Sequence, residues 1–309
     1  MKRGLLVVAL LATCAASGAR AMEYKGLCEA SAGAFLDATH FAVASDETNT
    51  LQIYERGKPD PIGTGVDMED FAGFDKSDLE GAAAIGDRVY WISSHSFNKK
   101  GKDKAERKVF FATRIGKADG KPTLEGVGSP AASLRDAIAK AAGAQPGELN
   151  IEALAATPED GLLIGLRSPL RKVGGGNEAI VVPFNNPAAV VDKGTAPDLG
   201  PAFTLKLGGR ALRSMDLIGI NPSRYIIVAG PVADVSGFAL FRWKGKGFDP
   251  EEITDGPDLT GLTLEGAMAV PGQNLVQLLS DDAEVSGVKC DDEDDPPEKR
   301  KFRSIDVKP

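Results

Sequence analysis

The stretch DLEGAAAIGDRVYWISSHS, residues Asp78 to Ser96, sets an acid at the head of a run of small apolar residues. A turn at Gly86-Asp87 separates that run from a second one, which ends in the polar Ser94-His95-Ser96. Period-two alternation is loose, as it is in strands buried on both faces. The same grammar returns in CEASAGAFLDATHFAVASDETNTLQIYE from Cys28, NIEALAATPEDGLLIGLRSPL from Asn150, SMDLIGINPSRYIIVAGPVADVSGFALFRWK from Ser214 and LEGAMAVPGQNLVQLLSDD from Leu264. The opening acids are Glu29, Glu80, Glu152, Asp216 and Glu265, spaced by 51, 72, 64 and 49 residues.

Each repeat continues into a third apolar strand: Leu51–Glu55, Lys108–Arg114, Glu178–Phe184, Phe238–Trp243 and Phe302–Val307. Weaker fourth strands, Ile62–Met68, Pro122–Val127 and Phe203–Leu207, lead towards the next acid. Four short antiparallel strands per repeat, at a period of roughly 40–60 residues, predict an all-β fold, a β-propeller with one blade per repeat. Five repeats predict five four-stranded blades. The last repeat lacks a fourth strand, and Met22–Leu27 precedes the first acid with no blade of its own. The N-terminal strand is therefore expected to complete blade five and close the ring.

The chain has 309 residues, 42% of them hydrophobic, with 36 glycines and 19 prolines, which suits a ring of short strands joined by many turns. Residues 1–21 read as a secretory signal peptide: Lys2 and Arg3, then the apolar Leu5 to Ala12, then Ala19-Arg20-Ala21 at the cleavage point. The fold is expected as one propeller domain over 22–309, in a monomer exported to the periplasm or secreted. Removing Lys2, Arg3 and Arg20 takes the formal charge from −8 to −11, which disfavours nucleic acid and anionic lipid as partners. No segment predicts a membrane span. Cys28 and Cys290 fall in connections at one face of the ring, so a disulfide between them is expected. SPAASLRDAIAKAAGAQPG from Ser129 predicts a short helix inserted between blades two and three and stopped at Gly143.

If all five acids open inner strands, they converge at one mouth of the channel. Strand two of each blade returns there, bringing Ser45, Asp46 and Glu47, then Ser94, His95 and Ser96, then Arg167 and Ser168, Asp234, and Ser280, Asp281 and Asp282. Asp46, Glu47, Ser94, Ser96, Asp281 and Asp282 are the expected ligand-facing set. At ~6 Å and an effective dielectric near 20, each pair of like charges opposes ionisation by roughly 3 kcal/mol. Such a ring must gain protons, basic partners or a cation. Arg167, and Arg210 and Arg213 in GGRALRSMD, are the basic partners in reach. A hard cation such as Ca²⁺, which takes 6–8 oxygens, is the other remedy, beside internal salt links that fix the inner strands. His95 is the candidate general acid or base. The basic loop NKKGKDKAERK from Asn98 and the acidic DDEDD from Asp291 both rise from this mouth face, and RKVGGGNE from Arg171 reads as a hairpin, not a phosphate loop.

The openings Asp78-Leu79-Glu80-Gly81, Ile151-Glu152-Ala153-Leu154 and Leu264-Glu265-Gly266, with LLIGLRSPL and GGRALRSMD, resemble an uncharacterised bacterial family of exported propellers. More loosely, the repeated Glu-Gly opening is similar to phytase-like propellers and calcium-activated nucleotidases. That likeness implies a channel calcium held by Glu80, Glu152 and Glu265, with Glu29 and Asp216 in the corresponding positions of their blades. One reading is then a metal-dependent hydrolase of phosphoesters or phosphoanhydrides, in which Arg167, Arg210 and Arg213 hold the remaining charge and His95 or a carboxylate activates water. Gly81 gives way to Ala153 in blade three and Leu217 in blade four, a departure from the pattern. The alternative is a non-catalytic module binding a small anionic ligand or a partner protein, its acids structural.

Overall fold

Small residues beside the acids set how closely neighbouring inner strands approach. The computed structural model describes residues 21–27, 29–132, 134–220, 222–233, 237–283 and 299–309, and over these the chain forms the five antiparallel blades of a β-propeller. Blade one runs from channel to rim as Ala30–Phe35, His40–Ser45, Thr50–Glu55 and Val66–Asp67. Blade two is Leu79–Ile85, Arg88–Ser93, Phe110–Ala118 and Lys121–Ala131. Blade three is Asn150–Ala156, Leu162–Ser168, Gly176–Phe184 and Phe203–Leu205. Blade four is Ala211–Ile220, Ser223–Gly230, Ala239–Trp243 and Glu251–Glu252. Blade five takes Leu264–Ala269, Val276–Ser280 and Lys301–Val307 and is completed by Met22–Lys25. Met22 pairs with Ser304 and Lys25 with Lys301, so the N-terminal strand closes the ring as the repeat pattern predicts.

The core lies between the blades. Five apolar clusters, one at each blade–blade interface, replace a single central core. At the opening of blade two, a Cβ on Gly81 would stand 3.0 Å from Leu154 Cβ of blade three and 2.9 Å from Ile92. In blade three the roles are exchanged: Ala153 supplies the methyl, and Gly165 on the next strand leaves the space, since a Cβ there would lie 2.8 Å from Ala153 Cβ. Interiors packed this closely tolerate no added methyl without a shift.

The inserted helix is shorter than its sequence suggests. The fourth strand of blade two runs on through Ser129-Pro130-Ala131, and the helix is Arg135–Ala142, with Gly143 ending it at φ +65°. Pro130 is tolerated because this strand lies at the rim edge of its sheet. A second helix, Pro187–Lys193, went unread although Asn186-Pro187 and Gly194 mark its two ends. RKVGGGNE forms a tight hairpin in which Val173 faces Gly176 across Gly174-Gly175. Among the described residues no helix is long and apolar enough to cross a membrane. Residues 1–20, Cys28, Cys290, Asp234 and the DDEDD run fall outside the described residues.

Ring closure rests on an aromatic knot. Tyr24 stacks on Phe302 at 5.2 Å and meets Phe41 and Tyr54 of blade one edge-on, while its hydroxyl accepts a hydrogen bond from the Gly57 N–H at 3.0 Å. Tyr24→Ala should therefore cost about 3–5 kcal/mol, read as a lower urea midpoint. An unchanged midpoint would mean that the N-terminal strand contributes little to holding the ring.

Candidate functional site

Every inner strand carries a β-bulge one or two residues after it starts. The register shifts fall between Ala30 and Ala32, Leu79 and Gly81, Ile151 and Ala153, Leu212 and Ser214, and Leu264 and Gly266. A bulge re-aims the extra side chain, and the residues it singles out are Ser31, Glu80, Glu152, Arg213 and Glu265. The structure thus differs from the five-acid ring. Blade one contributes a hydroxyl and blade four a guanidinium, while Glu29 precedes its strand and Asp216 lies three residues past the bulge. The signal was in the sequence: Leu212-Arg213-Ser214 matches Leu79-Glu80-Gly81 and Leu264-Glu265-Gly266 as apolar, charged, small. Reading for acids alone selected Asp216 instead.

Arg213 joins three blades. Its Nε lies 2.8 Å from Glu152 Oε2 and 3.1 Å from Glu265 Oε2, and its Nη2 pairs with Glu265 Oε1. All three side chains are buried. Burial and the charge of Glu152 push Glu265 up to about 8, against the pull of Arg213. Arg167 gives Glu152 a second partner, Nη1 to Oε1 at 2.5 Å, and its Nε donates to the Val232 carbonyl at 2.8 Å. Arg210 is not part of this group. Its Nε donates to the Gly237 carbonyl at 3.0 Å, and its nearest carboxylate is Glu252 at 3.9 Å. Asp216 accepts the backbone N–H groups of Leu217 at 2.8 Å and Ala269 at 2.7 Å, tying blade four to blade five. Burial raises its pKa to about 6.

Blades one and two are different. Glu29, Asp46 and Glu47 bring carboxylate oxygens within 4.8 Å of one another, and so do Asp46, Asp78 and Glu80. Asp46 belongs to both groups. Among the described residues two cations stand against these five carboxylates: Lys76, paired with Glu47, and Arg107, whose Nη2 is 2.8 Å from Asp78 Oδ1. Ser94 donates to Asp78 Oδ2 and accepts from the Ser96 N–H at 3.1 Å, so both serines hold Asp78 and Arg107 in place. Burial, then the charges of Glu47 and Asp281, pushes Glu29 up to about 7. Asp46 is driven well above the carboxylate range by burial and then by Glu29 and Asp78. Glu80 is raised likewise by burial and by Glu152. Glu29 Oε2 and Asp46 Oδ1 are buried and receive no hydrogen bond from any other donor among the described residues.

The remaining mouth residues are committed elsewhere. Asp282 takes a two-pronged pair from Arg303, at 2.6 and 2.8 Å, plus the Ser280 hydroxyl at 2.9 Å. Asp281 accepts the Ala283 N–H at 2.9 Å and adds its charge to the Glu29–Asp46 side. His95 has no exposed surface. Its Nδ1 bonds the Ser93 carbonyl at 2.9 Å, its Nε2 has no partner among the described residues, and burial lowers its pKa to about 4. It is a neutral, enclosed imidazole.

No family model matches the chain, and no curated protein matches it. Solved structures with the same architecture do. The allergen Mala s 1 of Malassezia sympodialis shares 10% identity over 93% of this chain and 95% of that one, with a TM-score of 0.51. The PQQ-bound aldose sugar dehydrogenase of Streptomyces coelicolor shares 12% over 94% and 98%, at 0.45. PhoX of Pseudomonas fluorescens, in complex with vanadate, shares 13% over 84% of this chain and 57% of that one, at 0.38. At such identities the likeness extends to the fold: the chain is a β-propeller.

Arg213→Met strands two buried carboxylates and should destabilise by about 3–5 kcal/mol near pH 8. Stranded carboxylates have raised native pKa values, so the stability they retain is present at low pH and lost as pH rises. Urea unfolding at pH 5.5 and pH 8 should show the smaller deficit in acid. An equal deficit at both values would rule out charge stranding as its cause.

Proposed function

We propose that the protein is a cation-binding propeller. A hard divalent cation, calcium by the chemistry of the donors, is held at the channel mouth by Glu29, Asp46, Glu47, Asp78 and Glu80. The observation that carries this reading is the pair of buried oxygens, Glu29 Oε2 and Asp46 Oδ1, that receive no hydrogen bond among the described residues, within five carboxylates for which the described residues offer two basic partners. Ionised, those oxygens need either a shared proton or a cation. The donor set is all oxygen, which suits calcium over softer metals. Glu152, Glu265 and Asp216 are outside the proposed ligand set, because arginines or backbone N–H groups already satisfy them.

The bound cation would supply a Lewis acid for an anionic ligand, a phosphoester among the candidates. Lys76 and Arg107, rather than Arg167, Arg210 and Arg213, would face the remaining negative charge of that ligand. Hydrolysis is the weaker extension: His95 is enclosed, and Arg167 and Arg213 are held by Glu152. The geometry favours binding of a small anionic ligand over turnover. We infer export as well, from residues 1–21. The extracellular range of calcium affinities, about 10⁻⁴–10⁻³ M, is then the range expected here.

Glu29 has a folded pKa raised above its ordinary value, so its contribution to stability is present in acid and is lost as pH rises through about 7. The chelated protein should lose thermal midpoint between pH 5 and pH 8, and millimolar calcium should restore several degrees at pH 8 but little at pH 5. Asp46→Asn should abolish the calcium response while leaving the chelated protein as stable or more so. A midpoint indifferent to calcium at pH 8 would overturn the cation site. Turnover of a phosphoester panel that requires calcium and Asp46 would restore the hydrolase reading.

A further inference from the structure

The face opposite the acidic mouth carries a cavity of about 570 Å³ between blades three and four. Thr157–Gly161, the turn that joins the first two strands of blade three, forms one edge, and Lys244–Lys246, which follows the third strand of blade four, forms another. Its size lies within the range of small-molecule sites. Its walls are mixed: polar groups from Thr157, Glu159, Asn185, Lys244 and Lys246 surround a ringed patch of Pro183 and Phe203 from blade three and the edges of Tyr225 and Trp243 from blade four. The rings brace one another, with Tyr225 4.9 Å and Phe203 5.8 Å from Trp243 between centroids. The Trp243 indole is fixed by its N–H donating to the Phe248 carbonyl at 3.0 Å. Such a wall loses little entropy when a flat molecule is laid against it.

Two lysines stand on the rim. Lys246 reaches over the Phe203 ring at 5.4 Å, and among the described residues no carboxylate pairs with it. Lys244 meets Glu251 only loosely, at 3.4 Å, with both side chains more than half exposed. Glu159 is the one carboxylate in the lining, and with Glu251 against Lys244 the rim is close to neutral, so Lys246 is the lysine left for an acidic ligand. A lysine poised over an aromatic face, beside unfilled space, suits a ligand with an acidic group on a flat ring system.

We propose that this cavity is a second binding site, for small aromatic carboxylates or sulfonates, with the ring against Phe203 and Tyr225 and the acid group at Lys246. It is independent of the cation site on the other face.

The protein has two tryptophans, and Trp91 is fully buried between blades one and two, so Trp243 is the one that lines the cavity. The test is 8-anilinonaphthalene-1-sulfonate titrated into the Trp91→Phe protein, followed by energy transfer from Trp243. Saturable binding of one molecule per chain is expected. Lys246→Glu and Phe203→Ala should each weaken it by about tenfold or more, with thermal midpoints confirming that both variants fold. The uncharged analogue N-phenyl-1-naphthylamine should bind more weakly than the sulfonate. Absence of saturable transfer, or affinity unchanged by both substitutions, would overturn the proposal. So would affinity lost with Asp46→Asn, since that would place the dye at the acidic mouth.

Discussion

One guanidinium organises the channel. Arg213 enters from blade four and draws in Glu152 of blade three and Glu265 of blade five, so three neighbouring inner strands are tied at one point. A buried pair of this kind adds little net stability over well-packed apolar residues, because desolvation offsets most of the attraction. What it does fix is registry. The three bulges that aim these side chains must meet for the charges to be satisfied, and a slip in any one strand would leave a buried charge alone.

With Arg213 committed there, the channel is electrostatically divided. On the side of blades three to five, arginines meet the acids. On the side of blades one and two, Asp46 and four other carboxylates gather, opposed among the described residues by Lys76 and Arg107. Burial raises the proton affinity of Glu29, Asp46 and Glu80 because no counter-charge lowers it enough. In the cation-binding function proposed above, these carboxylates would exchange their protons for the ion, which would link occupancy to pH.

Much of the fold was legible from sequence. The strand–turn–strand repeats around Glu80, Glu152 and Glu265 carry period, blade count and closure, because turn residues and buried apolar runs are local properties. The site was legible only in part. Counting acids picks Glu80, Glu152 and Glu265, which the bulges single out, but sets Glu29 and Asp216 beside them, where the bulges single out Ser31 and Arg213. Which side chain a bulge re-aims depends on register with the next strand, and that is not a property of one segment. His95 shows the same limit: Ser94-His95-Ser96 looks like a polar strand end, yet packing from the neighbouring elements encloses the imidazole entirely. Asp46, the residue shared by both carboxylate groups, was read as one mouth residue among many, since its partners come from two blades.

The account stands on the claim that protons hold the blade-one side of the channel until a cation displaces them. Isothermal titration of calcium into the chelator-treated protein at pH 7, repeated in buffers of different ionisation enthalpy, counts the protons released. The account predicts one calcium per chain with about one proton or more released, and neither binding nor release in the Asp46→Asn variant. Binding with no proton release would contradict it, as would an absence of binding at millimolar calcium.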